Sequence, residues 1–355
     1  MKKGIELEYF TIDPDGNLAD SKEITDELDF AAPEFAKCII EIKSDPCSDL
    51  DELKADLKQK VGEAIDKADE RDLKLAPVGT PLNHGEIELI ESERLEMMKK
   101  FNPEDIKIEK ELARTGLHIH FEKRNVKDQL NILTALDPAS GLLNSSPYHK
   151  GENEASSCRN WIYQHSWEPK FPESVQLWNY TDSVEEWKDR MHKAFEDFKN
   201  GAMEAGVSED TFLSHHHPDR SIWTPIRLRD QFPTVEYRSP DTCLPSEALQ
   251  FTRDLENILE ESQNKNVVIG NGPEIDDDTV TLPEFAQVKK LSKIAALEGK
   301  ESEQLNDYLK QFGVDPEDYS PLSEKLKRGK TISIKEACEL RLEASRMLEA
   351  DIENL

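Results

Sequence analysis

A mixed α+β fold is what the sequence predicts, on three observations. Short strands of alternating polarity are interleaved with amphipathic helices, and no repeat of solenoid length is present. Residues 4–13, GIELEYFTID, alternate and run into DPDG, a hairpin-type turn. In SDLDELKADLKQKVGEAIDKA, Leu50, Leu53, Leu57, Val61 and Ile65 recur at helical spacing, with Ser48 as the expected cap. Further helices are expected from Ser183 and Ser333, each followed three residues on by a glutamate (Glu186, Glu336), and from near Ser246. VVIGNGPEIDDD reads as a turn-rich, acidic connection, and 283–355 reads as helices only, with Leu340, Met347 and Leu348 in the apolar stripe of the last. The expected division is a main body, 1–282, and a helical C-terminal extension, 283–355, packed on it.

The 355 residues carry 45 Lys plus Arg against 74 Asp plus Glu, a formal charge of -29, which argues against nucleic acid or an anionic membrane surface as partner. With 36% hydrophobic residues and a mean hydropathy of -0.71, the composition is that of a protein kept soluble in concentrated salt, where self-repulsion is screened. Five widely spaced cysteines without a CxxC pair suggest neither disulfides nor cysteine-bound zinc, so a reducing cytoplasm is expected. No apolar run approaches the ~18 residues of a membrane span, and MKK is not followed by a secretory h-region.

GIELEYF has three counterparts. Glu41 interrupts the aliphatics of CIIEIKS, His118 and His120 alternate with Leu117, Ile119 and Phe121, and Glu236 and Arg238 alternate with Val235 and Tyr237. Each segment can bury one face and present ionisable groups on the other. Taken singly, each is an ordinary half-exposed strand. Lining one cavity, Glu6, Glu8, Glu41 and Glu236 would repel one another unless cations compensate them. Carboxylates with one or two imidazoles suit Mg²⁺ or Mn²⁺, and clustered divalent ions serve phosphoryl transfer. Arg227, Arg229 and Arg238 could add positive charge. There is no GxxxxGK[ST] stretch, so a Walker-type site is excluded.

In this order the motifs resemble the glutamate-cysteine ligases and related carboxylate-amine ligases of the glutamine synthetase-like superfamily. GIELEYF is similar to the opening Gly-x-Glu-x-Glu strand, PEFAKCIIEIKSDPC to a second acidic block (Glu34, Glu41), LAPVGTP to a strand ending in Gly-Thr, and TGLHIHF to the histidine strand. SSPYHKGENEASSCR resembles the Ser-Pro segment leading to an arginine, Arg159, and WTPIRLRDQFPTVEYRSPD the terminal Trp, Arg, Thr-x-Glu-x-Arg block. The resemblance implies a funnel of mostly antiparallel strands with helices outside, 1–282 as an ATP-dependent ligase domain, and formation of γ-glutamylcysteine, a step of glutathione biosynthesis, through γ-glutamyl phosphate. It implies two or three Mg²⁺ ions, with Mn²⁺ as a substitute, held by Glu6, Glu8, Glu34, Glu41, His118 and Glu236. Arg159 and Arg238 would act on the phosphoryl group or substrate carboxylates, Arg227 and Arg238 on ATP, and His120 on substrate. The partners implied are glutamate, cysteine and ATP, and a homo-oligomer is compatible. The acidic composition resembles that of salt-adapted archaea, which are associated with γ-glutamylcysteine as a thiol.

Competing readings are a ligase with another amine acceptor, a metal-dependent hydrolase built on the HIH strand, and a non-catalytic acidic interaction protein. His215, His216 and His217 cannot face one ion in regular structure and read as a loop. Cys47 and Cys158 read as packing residues, Trp161, Trp178 and Trp187 as core or partner surface, and Asp276–Asp278 as a solvated turn.

Overall fold

The computed structural model describes residues 1–101, 112–167 and 172–355. Seven strands form one antiparallel sheet: β1 (Lys3–Ile12), β2 (Ala31–Pro33), β3 (Ile39–Lys43), β4 (Lys74–Ala76), β5 (Leu117–Glu122), β6 (Ile226–Arg229) and β7 (Thr234–Tyr237). Their order is β2-β3-β1-β5-β7-β6, and β4 pairs with the far end of β1, Phe10 opposite Ala76. The α+β class and the mostly antiparallel sheet are those expected. DPDG closes as a turn, with the Gly16 amide donating to the Asp13 carbonyl and Ile12 bridging to Leu18.

Alternation sorts the faces. Ile5, Leu7, Tyr9, Ile40, Ile42, Ile119, Val235 and Tyr237 are buried beneath the sheet. They are backed by helices α1 (Leu50–Asp69), α2 (Val126–Ala135) and α4 (Pro245–Glu261), numbered with α3 (Val184–Glu204). On α1 the inward residues are Leu53, Leu57, Val61, Ala64 and Ala68, the helical stripe expected, while Leu50 and Ile65 are half-buried. Its cap is Asp49 rather than Ser48: the Asp49 side chain accepts from the Glu52 amide at 2.8 Å, and Ser48 donates its own amide to Glu52. Ser183 caps α3 as expected, and α4 begins at Pro245, whose missing N–H costs nothing at a first helical position.

The connection 267–278 departs from expectation, because β8 (Asn266–Gly270), β9 (Glu274–Ile275) and β10 (Thr279–Pro283) form a second, three-stranded sheet. The acidic run Asp276–Asp278 is its exposed turn. The residues beyond are helical, including α5 (Phe285–Leu297), α6 (Glu303–Gln311) and α7 (Ile334–Asn354), the last opened by the Ser333–Glu336 capping box. Buried Arg341 of α7 donates to the carbonyls of Gly16, Pro81 and Asn83, tying this helix to two loops of the main body. All five cysteines are free and buried. No helix among the described residues is long and apolar enough to cross a membrane.

Candidate active site

The polar face of the sheet is assembled by register. Glu8 stands opposite Glu41, Glu6 opposite Lys43 on one side and His118 on the other, and His120 opposite Glu236, which faces Arg227. Four segments distant in sequence thus place their ionisable side chains on one floor, which lines a cavity of about 980 Å³. Glu34, in the loop after β2, completes the acidic end.

The floor divides by charge. At one end, ligand atoms of Glu8, Glu34 and Glu41 lie within 4.8 Å of one another, as do those of Glu6, Glu41 and His118, and those of Glu6, His120 and Glu236. Burial, and then the charge of Glu34, pushes the Glu8 carboxyl up to about 8. Burial, reinforced by Glu6 and Glu34, raises Glu41 well above the usual range, although Lys43 sits 2.5 Å away. Burial also raises Glu34. Glu6 differs: burial would raise it, but its hydrogen bond with His118 and the neighbouring His120 imidazole hold it well below the ordinary carboxylate value. His118 Nδ1 lies 3.1 Å from the Glu6 carboxylate, while burial and nearby Arg238 push the imidazole down to about 3, so the neutral ring donates from Nδ1. Its Nε2 lone pair then points toward Glu8, 4.0 Å away.

These residues fit a divalent cation on their own chemistry. His120 Nε2 is buried without a hydrogen-bond partner, 3.6 Å from Glu6 and 3.9 Å from Glu236, while Nδ1 lies against Thr234. The crowding of Glu8, Glu34 and Glu41 disfavours their charged forms in the absence of a cation, and the oxygen and imidazole donor set is one that Mg²⁺ and Mn²⁺ accept.

The opposite end is arginine-rich. Glu236, fully buried, accepts from Arg227 (Nε at 2.8 Å and Nη2 at 2.9 Å), Arg229 (3.0 Å) and Arg238 (2.6 Å). Burial would raise Glu236, yet Arg227 and Arg238 hold it well below the carboxylate range. Most of its capacity is therefore spent ordering three guanidiniums. Arg94, Arg114, Arg159 and Arg220 also line the cavity, so half of the arginines in the chain surround it. Tyr163 stands among them with the Arg114 guanidinium 3.9 Å from its ring centroid. Burial would raise its phenol, but Arg114, Arg159 and Arg238 bring it below its ordinary value. An apolar wall of Phe35, Met98, Leu112, Val175 and Trp223 closes one side.

The remaining motif residues form a buried knot beneath Arg159. Asp241, fully buried, accepts from the Ser145 amide (2.9 Å) and from the hydroxyls of Ser146 (2.5 Å) and Ser157 (2.7 Å). Gly79 packs so closely that a Cβ would come 2.7 Å from the Asp241 carboxyl carbon, and Thr80 donates to the Tyr148 carbonyl. Arg159 is the second residue of the short helix that Ser157 caps and donates to the carbonyls of Ser239 (3.0 Å) and Arg238 (3.4 Å), with its guanidinium lying across Gly116. Gly116 in turn donates its amide to Glu8 at 2.6 Å.

The structure thus brings Glu6, Glu8, Glu34, Glu41, His118, His120, Arg159, Arg227 and Arg238 to one cavity, with Glu236 fully buried behind its arginines. Sequence reasoning missed Lys43, Arg94, Arg114 and Tyr163, and noted Trp223 only as the opening residue of a motif. Lys43 shares the face of Glu41 and could have been found by the same alternation, whereas the others come from helices and loops whose direction is set only by the fold. The three histidines diverge as expected, though His215 ends the helix Glu209–His215 and only His216 and His217 lie in a loop: His215 pairs with Glu93, His216 is buried against Phe198 and Phe212, and His217 caps Pro218–Ser221.

An acid and imidazole floor facing an arginine wall suits a site where cations and guanidiniums meet phosphate groups. The sequence matches the glutamate-cysteine ligase family 2 profile over residues 2–327, and the chain belongs to that family of ATP-dependent ligases. The fold is similar to a glutamate–cysteine ligase from Francisella tularensis in complex with AMP, with a TM-score of 0.58, 14% identity, and coverage of 99% of this chain and 91% of that one. It is also similar to a bifunctional glutathione synthetase from Pasteurella multocida, with a TM-score of 0.57 and 13% identity over 98% of this chain, which spans only 52% of that longer protein. No curated protein matches the sequence.

Proposed function

We propose that the cavity joins the γ-carboxylate of glutamate to the amine of cysteine, consuming ATP. The opposition of an acidic, imidazole-bearing floor and an arginine wall inside one cavity carries this reading. The glutamate carboxylate oxygen attacks the γ-phosphorus, ADP departs, and the amine nitrogen then displaces phosphate from the acyl carbon while losing a proton. Glu6, Glu8, Glu34, Glu41, His118 and His120, with the Oε1 edge of Glu236, would hold two or three Mg²⁺ ions. Magnesium supplies neutralisation of the phosphate charge when bound. Arg238 and Arg227, fixed by Glu236, bind phosphoryl oxygens and ATP, and Arg159, fixed by two carbonyls, binds a substrate carboxylate or the departing phosphate. Positioning and charge complementarity supply the catalysis, and no protein nucleophile is required. We assign this phosphoryl chemistry to 1–282 and a bracing role to 283–355.

Purified protein with ATP, Mg²⁺ and glutamate, screened against a panel of amines for ADP release and product mass, tests the proposal. The expected result is ADP formation that requires both glutamate and cysteine, with γ-glutamylcysteine as product. Turnover with other amines only would remove cysteine. Hydrolysis of an amide or ester without nucleotide would replace the ligase reading.

A further inference from the structure

The floor carries two kinds of counter-cation. Glu236 is fully buried and is held by Arg227, Arg229 and Arg238, whose side chains are themselves no more than 12% exposed. Glu41 is held differently. Its partner is Lys43, two residues on along the same face of β3, whose Nζ lies 2.5 Å from a Glu41 oxygen and 4.0 Å from Glu6 on the paired strand. The Lys43 side chain is 45% exposed where that of Glu41 is 8% exposed. An ammonium on a flexible four-carbon stem that swings out of this contact returns to water, whereas an arginine leaving Glu236 would abandon a buried charge. The cations at Glu236 are therefore fixed, and the one at Glu41 is exchangeable.

The carboxylates beside Lys43 are ones a divalent ion would need. Ligand atoms of Glu6, Glu41 and His118 lie within 4.8 Å of one another, and Glu41 also belongs to the group it forms with Glu8 and Glu34. A divalent ion among Glu6, Glu41 and His118 and the Lys43 ammonium are like charges drawing on the same oxygens, and in a buried site their repulsion is weakly screened. The backbone here is fixed, because the Lys43 amide donates to the Phe30 carbonyl at 3.0 Å and the Ser44 amide to that of Ile5 at 2.8 Å, so only the side chain has to move. We propose that Lys43 is an exchangeable counter-cation: its ammonium neutralises the Glu41 end of the floor and yields those oxygens to a divalent ion, which is bound there less tightly than the carboxylates and imidazole alone would bind it. The inference rests on the cation reading of the floor given above, and it adds a residue that sets ion affinity without being a ligand.

Mn²⁺ titration of the full chain by isothermal calorimetry, without nucleotide and in about 1 M KCl to shorten the Debye length of the acidic exterior to about 3 Å, tests the proposal. In Lys43→Met the dissociation constant of at least one Mn²⁺ is expected to fall about fivefold or more, as removal of a like charge beside the ion requires. Lys43→Arg keeps the charge and should show no such gain. Lys2→Met, which removes an exposed lysine lining the same cavity, should change affinity by less than about twofold. Lys43→Met in a Glu41→Gln background should also show no gain, because the contested carboxylate is gone. Circular dichroism checks each fold, and Lys43→Gln replaces the Met variant if that one is misfolded. Unchanged or weaker Mn²⁺ binding in Lys43→Met, an equal gain in Lys2→Met, or a gain that survives Glu41→Gln would each overturn the proposal. Mn²⁺ binding by neither the wild type nor any Lys43 variant would remove the cation reading itself, and the proposal with it.

Discussion

Glu8 shows how far a single side chain can report on the site. Its carboxyl is pushed up to about 8 from an ordinary 4.5 by burial and by Glu34, so the folded, metal-free protein favours the protonated form. The stability this contributes is complete below about 4.5 and is lost as pH rises through about 8. Metal-free protein should therefore melt at progressively lower temperature from pH 5 to pH 9, and Glu8→Gln should flatten that fall. Added Mg²⁺ should stabilise the wild type more at pH 8 than at pH 5, because the ion takes the place of the protons. Melting curves in chelator and in Mg²⁺ check this, and parallel pH slopes for wild type and Glu8→Gln would refute it. Glu6→Gln and Glu8→Gln should each lower kcat/KM by at least about 100-fold with the circular dichroism spectrum unchanged, if, as proposed, each supplies a charged oxygen to a bound cation. Near-normal activity in either variant would strike that position from the ligand set.

Strands and loops explain which parts of the site could be read from the chain. Glu6, Glu8, Glu41, His118, His120 and Glu236 were legible because a strand of period two shows its polar face in the sequence. Their convergence is a matter of register, and register depends on which strands pair, as in the contact of Gly4 with His120 and of His120 with Glu236. That Arg227, Arg229 and Arg238 would bring positive charge near Glu236 was legible from their nearness in sequence, but their direct hydrogen bonds to it depend on the pairing of two strands. The short sheet at 266–283 was missed because Gly270, Asn271, Gly272 and Pro273 mask a two-residue strand and its partners. The Gly-Thr and Ser-Pro motifs were recognised by resemblance alone, and the structure supplies their physics: Gly79, Ser145, Ser146 and Ser157 are a mount for Asp241 beneath Arg159. Asp241→Asn replaces a buried acceptor of three donors and should destabilise the protein by about 2 kcal/mol. Gly116→Ala places a methyl in the Arg159 guanidinium and should lower kcat/KM at least about tenfold through displacement of Arg159. Measuring melting and kinetics for both variants separates the mount from the guanidinium, and an unchanged kcat/KM in Gly116→Ala would show that Arg159 is not held where the reaction needs it.

Across the whole molecule the charges are segregated. The chain has 74 acids against 45 Lys plus Arg, and half of its arginines line the active cavity, which leaves the outer surface even more acidic than the formal charge of -29 implies. Exposed ion pairs such as Lys22–Asp26 and Lys193–Asp197 add little, and there are too few basic residues to pair every acid. Self-repulsion of this shell opposes compactness at low ionic strength, and it weakens as the Debye length falls from roughly 10 Å at 0.1 M to about 3 Å at 1 M salt. Raising KCl over that range should therefore raise the melting temperature. The gain should be nearly the same in Glu8→Gln, because it comes from the shell and not from the cation floor, and it should persist in chelator. The buried contacts between Glu236 and its arginines are shielded from salt by their burial and should hold through the same range. Melting in KCl at fixed pH, with chelator present, measures the shell alone: a temperature that stays flat or falls between 0.1 and 1 M would mean that the acidic surface is not what limits the stability of this fold.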